Sequence, residues 1–89
     1  MTAYGIFTFN GFDTSLDLVT QDKPSAAKHK HELVRDFGFE TSEVKIVEMP
    51  DESAIYRIEE LMNEQDLTFN HALKSVRKEI AAPADEVKE

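Results

Sequence analysis

An α+β fold is what this sequence predicts: an N-terminal β-hairpin, a helix and a third strand (β-β-α-β) forming a small three-stranded sheet, followed by two C-terminal helices. Three observations predict it. Asn10-Gly11 separates two stretches of alternating apolar and polar residues, and Asn-Gly is the strongest short hairpin signal because both residues tolerate positive φ. Three later segments repeat apolar residues at steps of three and four, the period of an amphipathic helix. Between the first two of them lies "VKIV", β-branched and closed by Pro50, which reads as a strand.

A two-residue turn at Asn10-Gly11 would pair Phe9 with Phe12, Phe7 with Thr14 and Gly5 with Leu16. Side chains alternate along a strand, so one face would carry Phe7, Phe9, Phe12, Thr14, Leu16 and Leu18. Asp13, Ser15 and Asp17 would oppose Thr8, Ile6 and Tyr4 on the other. A wider loop would start the second strand near Ser15, with Leu16 and Leu18 still inward.

In "QDKPSAAKHKHELVRDFGF" Pro24 suits a first helical turn and holds Lys23 out of helical geometry. Ala26, Ala27, Lys30, Leu33, Val34 and Phe37 form its apolar stripe, and Gly38 supplies a left-handed stop. "SEVKIVEMP" is the third strand, expected beside the first in the order 2-1-3. "DESAIYRIEELMNEQ" is the second helix, with Ala54, Ile55, Ile58, Leu61 and Met62 inward. Thr68 caps a third, "FNHALKSVRKEI", whose stripe is Phe69, Ala72, Leu73, Val76 and Ile80. One domain is expected over 1–81, with a disordered acidic tail at 82–89.

The 89 residues include no cysteine, which removes disulfides, thiolate metal sites and thiol nucleophiles. No apolar run reaches the roughly 18–20 residues that cross a bilayer, and no signal-peptide pattern opens the chain. A soluble cytoplasmic protein is expected. His29 and His31 are two apart on a helix, about 200° around its axis, whereas a helical metal pair needs i, i+4 spacing. His71 is remote. The glycines are scattered and no calcium-loop pattern occurs, so no catalytic residue, metal or cofactor is expected, and the chain is not read as an enzyme.

Charge is more informative. The formal net charge is −8, which repels nucleic acid and acidic membranes over long range. Between Glu40 and Asp66 stand nine acids (Glu40, Glu43, Glu48, Asp51, Glu52, Glu59, Glu60, Glu64, Asp66) and two bases (Lys45, Arg57). The first helix carries Lys23, Lys28, Lys30 and Arg35; the third carries Lys74, Arg77 and Lys78. The expected contact surface is the outer face of the second helix: Glu52, Tyr56, Glu59, Glu60 and Asn63. Tyr56 is its aromatic anchor, since Tyr is enriched among binding hot spots. A second surface, an apolar patch of Tyr4, Ile6, Val47 and Met49, is expected to be covered by the third helix or by a second subunit.

Val44 to Ile80, through "VKIVEM", "IEELMNEQDLTF" and "NHALKSVRKEI", resembles the ribbon-helix-helix fold of small repressors and antitoxins. That resemblance covers under half the chain and implies a dimer whose paired strands enter the DNA major groove. Of the strand positions, Lys45 alone could donate to a base or phosphate, and Asp66 stands where a turn glycine is common. In size and composition the chain is also similar to small acidic proteins of tailed phages, some of which block host enzymes. The expected function is therefore a non-enzymatic protein-binding module, an inhibitor or regulator engaging a basic, nucleic-acid-binding surface of a partner protein. A ribbon-helix-helix DNA-binding dimer and a structural homo-oligomer are the alternatives.

Overall fold

The computed structural model describes residues 2–11 and 13–87, with side chains through residue 80. The strands are β1 (Ala3–Phe9), β2 (Thr14–Thr20) and β3 (Val44–Met49). The helices are α1 (Lys23–Asp36), α2 (Glu52–Glu64) and α3 (Phe69–Val87), and a single 3-10 turn, Thr41–Glu43, leads into β3. The sheet order is β2-β1-β3, with β1 antiparallel to both neighbours. The expected fold class, element order and strand order are all present. Two compact units divide the chain within α2, residues 1–55 and 56–89.

In the first unit the hairpin differs from its expected register. Phe9 pairs with Thr14 rather than with Phe12, so the connection runs from Asn10 to Asp13. The Asn10 N–H donates to the Asp13 carbonyl at 3.1 Å, and the Asp13 N–H donates to Asn10 Oδ1 at 3.0 Å. An Asn side chain folding back on a nearby amide is a turn device of its own, and it replaces the two-residue turn. Gly11 keeps the expected positive φ, +100°. Phe12 lies outside the described residues.

A bulge then breaks the alternation of β2. Ile6 pairs with Leu18 and the next residue, Phe7, with Leu16, so Asp17 is the extra residue. Leu16 and Leu18 therefore do not share a face. Leu18 packs with the cluster of Ile6, Ala26, Leu33 and Val44 beneath α1, together with Tyr4, Val34 and Phe39. Leu16 falls opposite Phe7 on the reverse face. Because the bulge moves Leu18 across from Ile6, the face expected to be polar is the one that α1 covers.

Asp22 caps α1, accepting the Ser25 N–H at 3.1 Å. This makes Lys23 the first helical residue and Pro24 the second, a correction to the expectation that Lys23 stays outside the helix. Ala26 and Leu33 are buried, whereas Phe37, expected on the apolar stripe, is 72% exposed at the helix end. Gly38 ends the helix at φ +77°, and the N–H groups of Phe37 and Phe39 both turn back to the Leu33 carbonyl. On the reverse face Ala3, Phe7, Val47 and Met49 are buried, and Ile55 of α2 lies against Gly5.

The second unit is a helical hairpin. Ile58 and Leu61 of α2 and Phe69, Ala72 and Val76 of α3 are buried, as the stripes predict; Ile80 is 43% exposed. Between the helices Asp66 takes a left-handed φ of +55°. The Gln65 and Leu67 N–H groups turn back to the Leu61 carbonyl, as the two phenylalanine amides do at the end of α1. Thr68 caps α3 as expected, accepting the His71 N–H at 3.2 Å. Helical backbone runs to Val87, beyond the expected end near residue 81; Ala81, Ala82 and Ala84 are strong helix formers. Of the expected tail, Lys88 and Glu89 lie outside the described residues.

Candidate functional site

The outer face of α2 follows from helical geometry. Glu52, Tyr56, Glu59 and Asn63 stand at steps of four, three and four, which align on one side of a helix, and Glu60 flanks them. Ile58 and Leu61 point the opposite way into the interior. Tyr56 is 51% exposed, Glu60 and Asn63 are exposed, and Glu59 is half-buried. These four belong to the second unit; Glu52, also exposed, lies a turn earlier on the same helix and belongs to the first.

Not every acid of the 40–66 segment is free to meet a partner. Glu43 accepts the Glu40 N–H at 2.9 Å and so helps to close the 3-10 turn. Asp51 caps α2, accepting the Ala54 N–H at 3.0 Å and the Ser53 hydroxyl at 2.6 Å. Those bonds favour the charged carboxylate and hold Asp51 below its usual pKa, the Ser53 hydroxyl contributing most. Glu60 pairs with Arg57, which also reaches Glu79 of α3, its Nη2 standing 3.3 Å from Oε2. Glu79 first, and then Glu60, raise the Arg57 pKa further above its already high value.

Among the described residues, Glu59, Glu64 and Asp66 enter no ion pair, and neither do Lys74, Arg77 and Lys78 of α3. Within this unit the cations of α3 therefore leave Glu59 and Glu64 of α2 unmatched, while Glu60 is held by Arg57. Tyr56, an apolar ring with a polar tip, stands one helical turn from Glu59 and Glu60.

The expected patch of Tyr4, Ile6, Val47 and Met49 is not brought together. Tyr4 and Ile6 lie on the face covered by α1. Val47 pairs with Gly5 and Met49 with Ala3, on the other face. Ile6, Val47 and Met49 are buried and Tyr4 is half-buried. The cover over Tyr4 and Ile6 is α1, because the bulge at Asp17 completes an apolar floor for that helix.

β3, α2 and α3 follow one another in the order the ribbon-helix-helix resemblance implies. β3 is paired to β1 of its own chain, Val47 and Met49 are buried, and Lys45 is exposed.

One contact was not legible in the sequence: His29 Nε2 of α1 meets Asp17 Oδ2 on the bulge. No group of three or more His, Asp or Glu among the described residues is placed to hold a metal ion, and no helix there is long and apolar enough to cross a membrane. The chain matches no protein-family model, no curated protein and no solved structure.

Proposed function

We propose that this protein is a non-enzymatic binding module that uses the outer face of α2 to engage a cationic surface of a partner protein. The observation that carries the reading is the exposure of Tyr56 one turn from Glu59, which enters no ion pair among the described residues. Tyr supplies contact area at low conformational cost, while unpaired carboxylates steer a basic partner and accelerate encounter. A protein surface that ordinarily holds nucleic acid has the matching sign, and covering it would exclude its usual occupant. On this reading the chain inhibits or regulates such a protein, in the manner of the small acidic proteins of phages.

Affinity capture from host lysate, followed by mass spectrometry, identifies the partner. Glu59→Lys and Tyr56→Ala should each lower the yield of that protein, and Glu59→Lys should also slow association at low salt. Glu59 is the better position for charge reversal than Glu60, because Glu60 also holds Arg57. Capture that ignores both substitutions removes this face of α2 as the contact surface.

A further inference from the structure

The two edges of the sheet are not alike. β2 is bulged, and Asp17 on the bulge is turned to His29; bulges and charged residues turned inward are the usual defences of an edge strand. β3 is regular, β-branched and, among the described residues, paired on one side alone. Ile46 on it is 37% exposed, and it shares the α1 side of the sheet with Ile6, its partner on β1. Beside this edge, Ala27, Lys30, His31 and Val34 of α1 and Thr41 line a groove of about 220 Å³. Ala27 and Val34 are its apolar lining and Lys30 its cation.

From this geometry we infer that the open edge of β3 binds β3 of a second copy of this chain, joining two three-stranded sheets into one. An antiparallel edge pair related by a two-fold axis keeps the α1 side of both copies on the same side, so opposed residues must share a face. The register that meets this condition and buries the exposed side chain places Ile46 against Ile46 of the other copy. Val44 then faces Glu48, and Lys45 faces Val47. Glu48 lies on the α1 side, since it pairs with Tyr4. Val44 directly follows the Thr41–Glu43 turn, so Glu48 of the second copy arrives at the Thr41 end of the groove, which Lys30 also lines and where it supplies the opposite charge. The patch of Tyr4, Ile6, Val47 and Met49 has no part in this interface.

Sedimentation velocity on the full chain, from about 10 μM to about 1 mM, tests it, with circular dichroism to verify folding of each variant. The wild type should form a reversible dimer, and amide exchange in β3 should slow as concentration rises. Ile46→Lys should be monomeric throughout. Glu48→Lys and Lys30→Glu should each raise the dissociation constant by about tenfold, the scale of one close charge pair. The double variant Lys30→Glu/Glu48→Lys should regain affinity. A wild type that stays monomeric overturns the inference. So does a dimer equally strong in Ile46→Lys and Glu48→Lys, or a β3 edge protected only by a strand from a different protein.

Discussion

The Cγ2 methyl of Ile55 stands 2.5 Å from the point where a Cβ on Gly5 would lie, and Phe7 Cε1 stands 3.2 Å from it. α2 thus begins its packing on bare backbone in the middle of β1. Any side chain at position 5 must displace a branched, fully buried isoleucine. Gly5→Ala should lower stability by about 1–3 kcal/mol, the usual scale of overpacking, read as a lower urea midpoint. Gly5→Ala/Ile55→Val keeps the Cγ2 methyl and should recover little; Gly5→Ala/Ile55→Ala removes it and should relieve the overlap, while leaving a cavity of its own. A single Gly5→Ala variant as stable as wild type would show that Ile55 does not occupy this position.

Asp17 and His29 join the bulge of β2 to the first half of α1. Their side chains are 29% and 39% exposed for His29 and Asp17 respectively, so the coupling between them should be modest. A double-mutant cycle of Asp17→Ala and His29→Ala should give about 0.5–1.5 kcal/mol, the usual net worth of a hydrogen bond. Zero coupling would mean that the pair does not form.

The cap at Asp51 gives the fold a defined response to acid. Its pKa is lowered in the folded state, so its contribution is complete above the unfolded value, about 3.9. It is lost as pH falls through the depressed folded value. Asp51→Asn keeps a capping oxygen and removes the titration. The stability difference between wild type and Asp51→Asn should therefore be constant from about pH 5 to pH 7 and change in favour of the variant below about pH 4. Chemical denaturation at a series of pH values measures it, and parallel curves down to acid unfolding would contradict it.

Local signals were legible where one residue type settles the backbone. Gly38 ends α1 with positive φ, Thr68 caps α3, and the stripes of α2 and α3 bury Ile55, Ile58, Leu61, Phe69, Ala72 and Val76. The bulge at Asp17 was not legible, because nothing local in "SLDLV" marks an extra residue; only the pairing with β1 and the cover of α1 select it. That single shift gave α1 its apolar floor on the face expected to be polar, while the pairing of β3 with β1, Val47 with Gly5 and Met49 with Ala3, split the patch of Tyr4, Ile6, Val47 and Met49. The face of α2 that carries Tyr56 followed from helical period alone. Which acids remain open did not, since Glu43 looks like surface charge until its bond to Glu40 is seen.

Asp66 completes the parallel between the two helix ends. Like Gly38, it holds a left-handed φ, and the amides of the residues on either side of it turn back to one and the same carbonyl. An L-residue in this region crowds its Cβ against the backbone by about 1–2 kcal/mol, less for Asp and Asn, whose short polar side chains tolerate it. Asp66→Gly relieves the crowding but frees the unfolded chain, an opposing effect of about 0.4–1 kcal/mol, so a gain of a few tenths of a kcal/mol is expected. Asp66→Val combines branching at Cβ with the same φ and should lose about 1–2 kcal/mol. Urea midpoints in the order Gly, Asp, Val test this. If Val equals Asp, the turn does not hold position 66 left-handed, and the antiparallel return that sets Arg57 beside Glu79 must be closed in another way.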